Sequence, residues 1–256
     1  MPRLYILKLL SVVVLATGSI CPISLAASDS AESSICSAPL SVDEVVDNLV
    51  RRNQQREQSL QSTEATRVYH LEYRGFPSDR EAQMTVHAVY SRPSFKSFAV
   101  ISQNGSKLIL DRVFKKLLES EKEAASAEMH DRTLLNRTNY DFALIRCEPA
   151  SAQYVLQVTP KSKSKYVYHG QVWVDGADFA VTRIEAEPAQ NPSFWTKRSQ
   201  IHHEYEKIQG FWVPARNESI SYIRLGGRAT LTIEYSDYHV KGPAEPPAVS
   251  SAAGVK

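Results

Sequence analysis

Hydrophobic and polar positions along the chain change their spacing several times, and each spacing predicts a different element. Residues 41–60 repeat valine and leucine at three- and four-residue intervals, the period of one face of a helix. Ser41 opens this stretch and Glu44 follows three residues later, which is the pattern of a helix capping box. The second half is rich in Gln and Arg, so we expect the helix to begin amphipathic and to end in solvent.

From residue 66 the period becomes two, which predicts strands with one buried face and one wet face. Asn104-Gly105 predicts a tight hairpin that leads into a short strand at 107–110. Short turns separate the strands, so neighbouring strands are expected to pair antiparallel. The predicted strands are 66–73, 82–90, 95–101, 107–110, 140–148, 153–160, 166–175, 179–188, 193–208, 211–225 and 228–240.

A second helical stretch interrupts the strands. Apolar residues recur at helical spacing within 111–129, and 130–139 has room for one more turn. Ten or so antiparallel strands must curl or split, and the two helices are the available covers for their apolar face. We therefore predict an α+β fold, a curved antiparallel sheet forming an open β-barrel covered by an N-terminal helix and a central helical insert.

The first residues differ from the rest of the chain. Arg3 and Lys8 precede an apolar run at 9–20, and small residues follow at Ala26 and Ala27. This pattern is typical of a secretory signal peptide, here residues 1–27, cleaved after Ala26 or Ala27. An uncleaved membrane anchor is the alternative, but the apolar run is short for a membrane span.

The rest of the chain divides into three parts. Residues 28–40 are expected to be a linker, 41–240 one domain, and the Pro-, Ala- and Ser-rich 241–256 a disordered tail. The formal net charge is +2, and the leader carries two of the cations and no acid. A nearly neutral mature chain lacks the basic footprint of a nucleic-acid-binding protein and the polybasic face that holds a protein on anionic lipid.

Cysteine usage fits an oxidising compartment. Cys21 lies in the leader in a poor context for lipidation, so no lipid anchor is predicted. Cys36 and Cys147 are a candidate disulfide that would join the N-terminal segment to a strand, with two free thiols as the alternative. We expect a periplasmic protein without a transmembrane segment in its mature form.

Motifs for catalysis are missing from the sequence. It contains no Gly-x-Ser-x-Gly elbow, no Gly-x-Gly-x-x-Gly and no P-loop. His202 and His203 are adjacent and would point to opposite faces of a strand, whereas His202 and Glu204 would share one. Zinc sites usually need three or four ligands, so a metal-dependent hydrolase built on His202 and Glu204 is disfavoured. We predict no enzymatic activity, no metal and no cofactor.

Four stretches carry a resemblance to a known family: YVLQVTPK (154–161), GQVWVDGADFAVTRIE (170–185), NPSFW (191–195) and FWVPARNESI (211–220). With the strand order, they resemble the LolA/LolB/LppX-like family of periplasmic lipoprotein carriers, whose relatives include RseB-like regulators. The resemblance covers roughly 41–240. It implies binding of lipoprotein acyl chains or lipid in a cleft between sheet and helices, without catalysis. We also expect a monomer.

The resemblance also implies a set of ligand-binding residues, each of which would otherwise be an ordinary core residue. An RseB-like module that binds an envelope membrane protein is the alternative function, and the low-complexity tail, where those relatives have a second domain, counts against it. The expected cleft residues are Tyr69, Leu71, Met84, Val86, Phe98, Phe114, Leu117, Leu118, Phe142, Leu156, Val172, Val174, Ile184, Phe194, Trp195, Leu231 and Ile233.

Residues 191–198, NPSFWTKR, pose a packing question. Phe194 and Trp195 are adjacent, so on a strand they cannot both enter one core. We expect one ring inside the barrel and the other at the rim, covered by a helix, a ligand or a partner. Lys197 and Arg198 would then meet a phosphate or carboxylate. The alternative is an aromatic cap on the sheet edge with solvated cations beside it.

Overall fold

The computed structural model describes Cys36 and residues 39–92, 95–124, 126–224 and 226–242. The predicted leader 1–27, most of the linker 28–40 and most of the tail 241–256 lie outside these residues. Helix α1 spans Val42–Ser59; the central insert comprises α2 (Lys107–Ile109), a π-helical turn (Leu110–Phe114), α3 (Lys115–Ala124) and α4 (Ala127–Thr133). The strands are β1 (Ser62–Arg74), β2 (Arg80–Ser91), β3 (Phe95–Gly105), β4 (Tyr140–Glu148), β5 (Gln153–Pro160), β6 (Tyr168–Asp175), β7 (Val181–Pro188), β8 (Thr196–Ile208), β9 (Phe211–Ile223) and β10 (Arg228–Lys241).

The ten strands form one antiparallel sheet in the order β3-β2-β1-β10-β9-β8-β7-β6-β5-β4. Strands that follow one another in the chain lie side by side, and the pairing of β1 with β10 joins the two ends of the domain. The edge strands β3 and β4 are connected through the central insert, which therefore crosses the open side of the sheet. The predicted architecture, an unclosed curved sheet with a helix and a helical insert, is confirmed.

One predicted strand is wrong. Residues 107–110 begin the insert helices, and β3 runs on to Gly105 without a hairpin. The Asn-Gly signal marks the end of β3 instead, where the backbone N–H of Ser106 donates to the carbonyl of Glu81 at 2.7 Å. Ile109 and Phe114 are both buried against the sheet, so the helical apolar spacing begins earlier than residue 111.

The N-terminal helix begins as its sequence predicts. The backbone N–H of Glu44 donates to Ser41 Oγ at 3.3 Å, and the N–H of Ser41 donates to the Glu44 carboxylate at 2.9 Å. These two bonds satisfy backbone donors that a helix N-terminus otherwise leaves free. The following valines and Leu49 are buried, which confirms the amphipathic first half.

Two separate hydrophobic cores lie on the inner face of the sheet. The first forms where α1 covers strands β4 to β7, and the second forms where the insert covers β1, β2 and β10. The first core contains Val45, Val46, Leu49, Tyr140, Tyr154, Leu156, Val158, Val167, Val172, Val174, Ile184 and Ala186. The second contains Tyr69, Leu71, Ala82, Met84, Val86, Ile109, Phe114 and Ile233.

An ionic cluster fastens the insert to the second half of the sheet. Glu121 on α3 lies 2.8 Å from Arg67 Nη1 and 2.9 Å from Lys96 Nζ, and it accepts a hydrogen bond from Tyr69 Oη at 3.1 Å. Burial raises the pKa of Glu121, but Lys96 and Arg67 lower it by more, so the net pKa lies below its ordinary value. Glu121 therefore stays ionised and holds two strands and a helix together.

The predicted disulfide is confirmed. Cys36 and Cys147 are bonded, with their Cα atoms 5.6 Å apart, and the bridge ties the segment before α1 to the edge strand β4. Persistent disulfides are typical of oxidising compartments. None of the helices that the structure describes is long and apolar enough to cross a membrane.

Candidate ligand-binding cavity

A cavity of about 490 Å³ lies between the end of α1, the α4 region and the inner face of β7 to β9. This volume is within the range of roughly 300–1,000 Å³ that ligand pockets usually have. Most of its lining is aliphatic or aromatic. The lining residues are Asn53, Arg56, Glu57, Leu60, Tyr90, His130, Leu135, Tyr168, Ala180, Val181, Ile184, Tyr205, Phe211, Trp212 and Val213.

A small polar side chain lies between the two cores in the middle of the sheet. Ser219 on β9 pairs with Ile201 on one side and with Leu231 on the other. Ile201 packs on the first core and Leu231 on the second, so Ser219 lies on the inner face between the two cores.

Arg56 positions the end of α1 over the cavity. Its guanidinium donates to the carbonyls of Asp178 and Phe179, both at 2.9 Å, and to Asn53 Oδ1 at 2.8 Å. Burial lowers the pKa of Arg56, and Asp178 opposes this effect. Because these carbonyls belong to the β6–β7 turn, the arginine locks the helix end to the sheet.

Asp178 also orients an aromatic wall of the cavity. Its carboxylate accepts a hydrogen bond from Trp212 Nε1 at 2.9 Å and lies 2.6 Å from Lys207 Nζ. Burial raises the pKa of Asp178, but its bonds to Lys207 and Trp212 lower it by more, so the group stays ionised. The indole of Trp212 is thereby held with its apolar surface available to the cavity.

Two tyrosines add hydroxyl groups to the lining of the cavity. Burial raises the pKa of Tyr205 to about 12 and that of Tyr168 well above its ordinary value, so both phenols stay neutral. Neither hydroxyl has a hydrogen-bond partner within the described part of the chain. Each is thus available to an oxygen of a bound molecule.

The two helical covers touch at the polar end of the cavity. His130 Nε2 on α4 lies 2.9 Å from the Glu57 carboxylate on α1, and both side chains are nearly half exposed. This pair bridges the insert and the N-terminal helix. It is a contact that entry of a large ligand would have to open.

A second concavity, about 510 Å³, lies on the outer face of the sheet and is lined mainly by Gln, His and Glu side chains. There His202 lies 2.9 Å from Glu204 and 3.5 Å from Glu185. His203 points inward instead, and burial together with the neighbouring His202 lowers its pKa to about 4. The predicted opposite orientation of the two histidines is confirmed. This polar surface suits water better than an apolar ligand.

Another polar cluster on the sheet brings three possible metal-ligating atoms close together. His70, Glu72 and Glu81 place one atom each within 4.8 Å. Arg74 lies 3.3 Å from Glu72 and 3.9 Å from Glu81, and His70 lies 2.9 Å from Glu81. These carboxylates already have cationic partners, so we interpret the group as a surface ion-pair cluster.

Comparison with known proteins finds similar solved structures; no protein-family model and no curated protein matches the chain. A putative outer membrane lipoprotein-sorting protein domain from Vibrio parahaemolyticus matches with TM-score 0.40 and 11% identity, over 79% of this chain and 94% of that chain. A LolA superfamily protein from Nitrosomonas europaea matches with TM-score 0.34 and 12% identity, over 79% and 94%. The Pseudomonas aeruginosa MucA/MucB complex matches with TM-score 0.25 and 10% identity, over 78% and 99%. The chemistry of the cavity rests on this chain's own residues.

Most residues predicted to bind a ligand lie in the two cores. Ile184 is the predicted residue that lines the cavity. In the first core lie Leu156, Val172, Val174 and Ile184, with Phe142 packed against it. In the second lie Tyr69, Leu71, Met84, Val86, Phe114 and Ile233, with Phe98, Leu117, Leu118 and Leu231 packed against it.

The prediction for Phe194 and Trp195 is wrong in its geometry. Both precede β8 in a turn, and neither ring enters the barrel, because 77% of Phe194 and 55% of Trp195 is exposed. A turn frees adjacent side chains from the alternation that a strand imposes. Arg198 does meet a carboxylate, that of Glu187.

Sequence reasoning missed the aromatic residues that line the cavity. Tyr90, Tyr205, Phe211 and Trp212 lie near strand ends, where alternation no longer tells which face a residue occupies. The sequence signal that could have indicated these residues is the density of aromatic residues around the β8–β9 turn. Their convergence depends on the curvature of the sheet.

Proposed function

We propose that this protein binds an apolar ligand with a long chain, such as a lipid or the acyl chains of a lipoprotein, as an extracytoplasmic carrier. The observation that carries the proposal is the cavity of about 490 Å³ between the two helical covers. Its walls combine apolar surface with a few polar groups, as ligand pockets usually do. The disulfide supports a location in an oxidising compartment such as the periplasm.

The lining favours binding over a chemical step. The described lining residues include no Ser, Thr or Cys that His130 could activate as a nucleophile. The lining combines polar side chains, such as the His130–Glu57 pair, with aliphatic residues of the sheet wall such as Val181 and Val213. A ligand with an apolar tail and a polar head matches this combination.

The experiment is native mass spectrometry of protein secreted with its own leader, followed by titration with a fluorescent fatty acid. Leu135→Trp adds bulk to a half-buried residue of the cavity wall, and Ile145→Trp makes a comparable change on β4, where the side chain is 44% exposed. We expect Leu135→Trp to weaken probe binding on the order of tenfold, about 1.4 kcal/mol. Ile145→Trp should bind as the wild type does.

Two results would contradict the proposal. One is a wild-type protein that carries no organic-extractable mass and does not bind the probe. The other is equal binding by Leu135→Trp and Ile145→Trp, because the probe would then occupy a surface outside the cavity. Unfolding temperatures of both variants show that a loss of binding is not a loss of fold.

A further inference from the structure

Three turns lie at one end of the sheet and are joined by hydrogen bonds. They are residues 75–79 after β1, 189–195 before β8, and residues 224, 226 and 227 after β9. Tyr73 Oη lies 2.5 Å from the carbonyl oxygen of Phe76 and 3.1 Å from that of Gly226. The backbone N–H of Arg224 donates to the carbonyl of Trp195 at 2.8 Å. We call this surface the aromatic rim: Phe76, Phe194, Trp195, Lys197, Tyr222, Arg224 and Arg228.

The aromatic rim exposes large rings. Phe76 is 75% exposed and Phe194 77%, and the Phe194 and Trp195 rings meet edge to face with centroids 5.5 Å apart. Tyr222 adds a fourth exposed ring beside Arg224 in the chain. Clustered exposed aromatics of this kind mark an interaction surface, because leaving them in water is unfavourable.

Three cations of the aromatic rim make no ion pair among the described residues: Lys197, Arg224 and Arg228. The Arg224 guanidinium lies 5.4 Å from the centre of the Phe194 ring, and its Nε donates to the Phe194 carbonyl at 2.7 Å. The neighbouring cations Arg74 and Arg198 are already paired with carboxylates. The rim therefore carries a local positive charge that a nearly neutral chain does not reveal.

We propose that the aromatic rim docks on the surface of an anionic lipid bilayer. Trp195 and Tyr222 have rings with an apolar body and a polar group, which favour the headgroup region of a membrane. Phe76 and Phe194 offer purely apolar surface that can be buried at the acyl boundary, and Lys and Arg beside them meet lipid phosphates. The three unpaired cations give this surface the charge complementary to such phosphates. The three cations are separated in sequence, and the pairing of β8, β9 and β10 brings them to one end of the sheet.

The proposal does not rest on a ligand in the cavity. Pairing of β1 with β10 puts Arg74 opposite Arg228 at the rim, whereas the β8–β9 turn, next to Trp212 of the cavity wall, lies at the other strand ends. Docking at the rim would leave the cavity end of the barrel facing away from the bilayer. The two activities are therefore separable by mutation.

The test is co-sedimentation with vesicles of phosphatidylglycerol and phosphatidylethanolamine, compared with vesicles of phosphatidylcholine alone. Protein is expressed from the full sequence, and intact mass confirms that all variants share one N-terminus. Lys197→Gln/Arg224→Gln/Arg228→Gln should weaken binding to the anionic vesicles on the order of 100-fold. Phe76→Ser/Phe194→Ser/Trp195→Ser should weaken it roughly tenfold or more.

Matched controls remove similar groups elsewhere. Phe95→Ser removes a ring that is 59% exposed at the opposite end of the sheet, and Arg112→Gln/Lys115→Gln/Lys116→Gln removes three exposed cations of the insert. Both controls should bind vesicles as the wild type does. Brominated lipid should quench tryptophan emission in the wild type and much less in Trp195→Phe, which locates the contact.

Several outcomes would overturn the proposal. One is a wild-type protein that does not bind anionic vesicles at low salt. Another is an equal loss of binding in Phe95→Ser and in the aromatic rim variants. A concentration-dependent dimer that the aromatic rim variants abolish would show a second copy of the chain as the occupant instead. Circular dichroism of each variant establishes that it is folded.

Discussion

Replacement of Glu121 by Gln tests the junction between the central insert and the sheet. The carboxylate lies 2.8 Å from Arg67 and 2.9 Å from Lys96, and Gln keeps its shape while removing its charge. Arg67 and Lys96 then remain close together without a counter-charge. We expect a loss of stability well above that of an ordinary surface substitution.

The size of the loss follows from burial. The side chain of Arg67 is only 14% exposed, and those of Lys96 and Glu121 are each 21% exposed. Breaking a buried ion pair costs about 3–5 kcal/mol, and the residual exposure favours the lower end, ~3 kcal/mol. For a domain of this size, that corresponds to a fall in Tm of roughly 6–12 °C.

The variant also changes the pH dependence of stability. The pKa of Glu121 in the folded protein lies below its ordinary value of 4.5. Such a carboxyl contributes stability above the pKa of the unfolded chain, and the contribution is lost as pH falls through the folded pKa. Wild-type protein should therefore lose stability below pH 4.5. In Glu121→Gln this part of the acid sensitivity should be missing.

The assay is urea unfolding followed by circular dichroism between pH 7 and pH 3. The control is Glu128→Gln, since Glu128 and Arg132 form an i,i+4 pair at 3.0 Å whose side chains are 74% and 70% exposed. That control should lie within about 0.5 kcal/mol of the wild type. If Glu121→Gln is equally mild, or keeps the full loss of stability below pH 4.5, the proposed role of the cluster is refuted.

Three further predictions concern other parts of the fold. Cys36→Ala/Cys147→Ala should lower the free energy of unfolding by about 2–4 kcal/mol, because the bridge links residues 111 positions apart. In urea unfolding, a reductant should no longer change the stability of this variant. A stability equal to that of the wild type under oxidising conditions would contradict the prediction. Gly170→Ala should lower the free energy of unfolding by ~2 kcal/mol or more, because the φ angle of Gly170 is +154° and a Cβ there would lie 2.3 Å from the carbonyl oxygen of Glu185. An unchanged Tm would contradict this, because it would show that the strands move apart without a loss of stability. The pKa of His203 is lowered to about 4 in the folded protein, so the free energy of unfolding of the wild type should fall by ~3 kcal/mol as pH drops from 6.5 toward 4. His203→Asn should remove this loss. The same loss in the variant would assign it to another group.

The elements of this fold are largely readable from the sequence. Period-two alternation located the strands, and the capping box at Ser41 located the start of α1. The failures lie where two local signals compete. At Asn104-Gly105 the hairpin signal was strong, but burial of Ile109 and Phe114 against the sheet made the next segment helical.

The candidate site was less predictable, because a packed core and an open cleft use the same residue types. Met84 and Val172 satisfy the expected inward pattern, and both are simply buried core. The walls of the cavity come from strand ends such as Tyr90 and Trp212 and from the C-terminal part of α1. Neither feature has a periodic signature.

By itself the sequence determined the fold class, the two helical segments that cover the sheet, and Cys36 and Cys147 as a candidate bridge. Alternation and helical spacing are local properties, and local properties can be read one segment at a time. Tertiary structure alone decided where the inner face stays unfilled and which exposed groups meet. The pairing of β1 with β10 brings Phe76 beside the turn that carries Arg224, although 147 positions separate these residues in the numbering. Curvature and strand order are collective properties of the whole sheet, so the cavity and the aromatic rim exist only once the chain has folded.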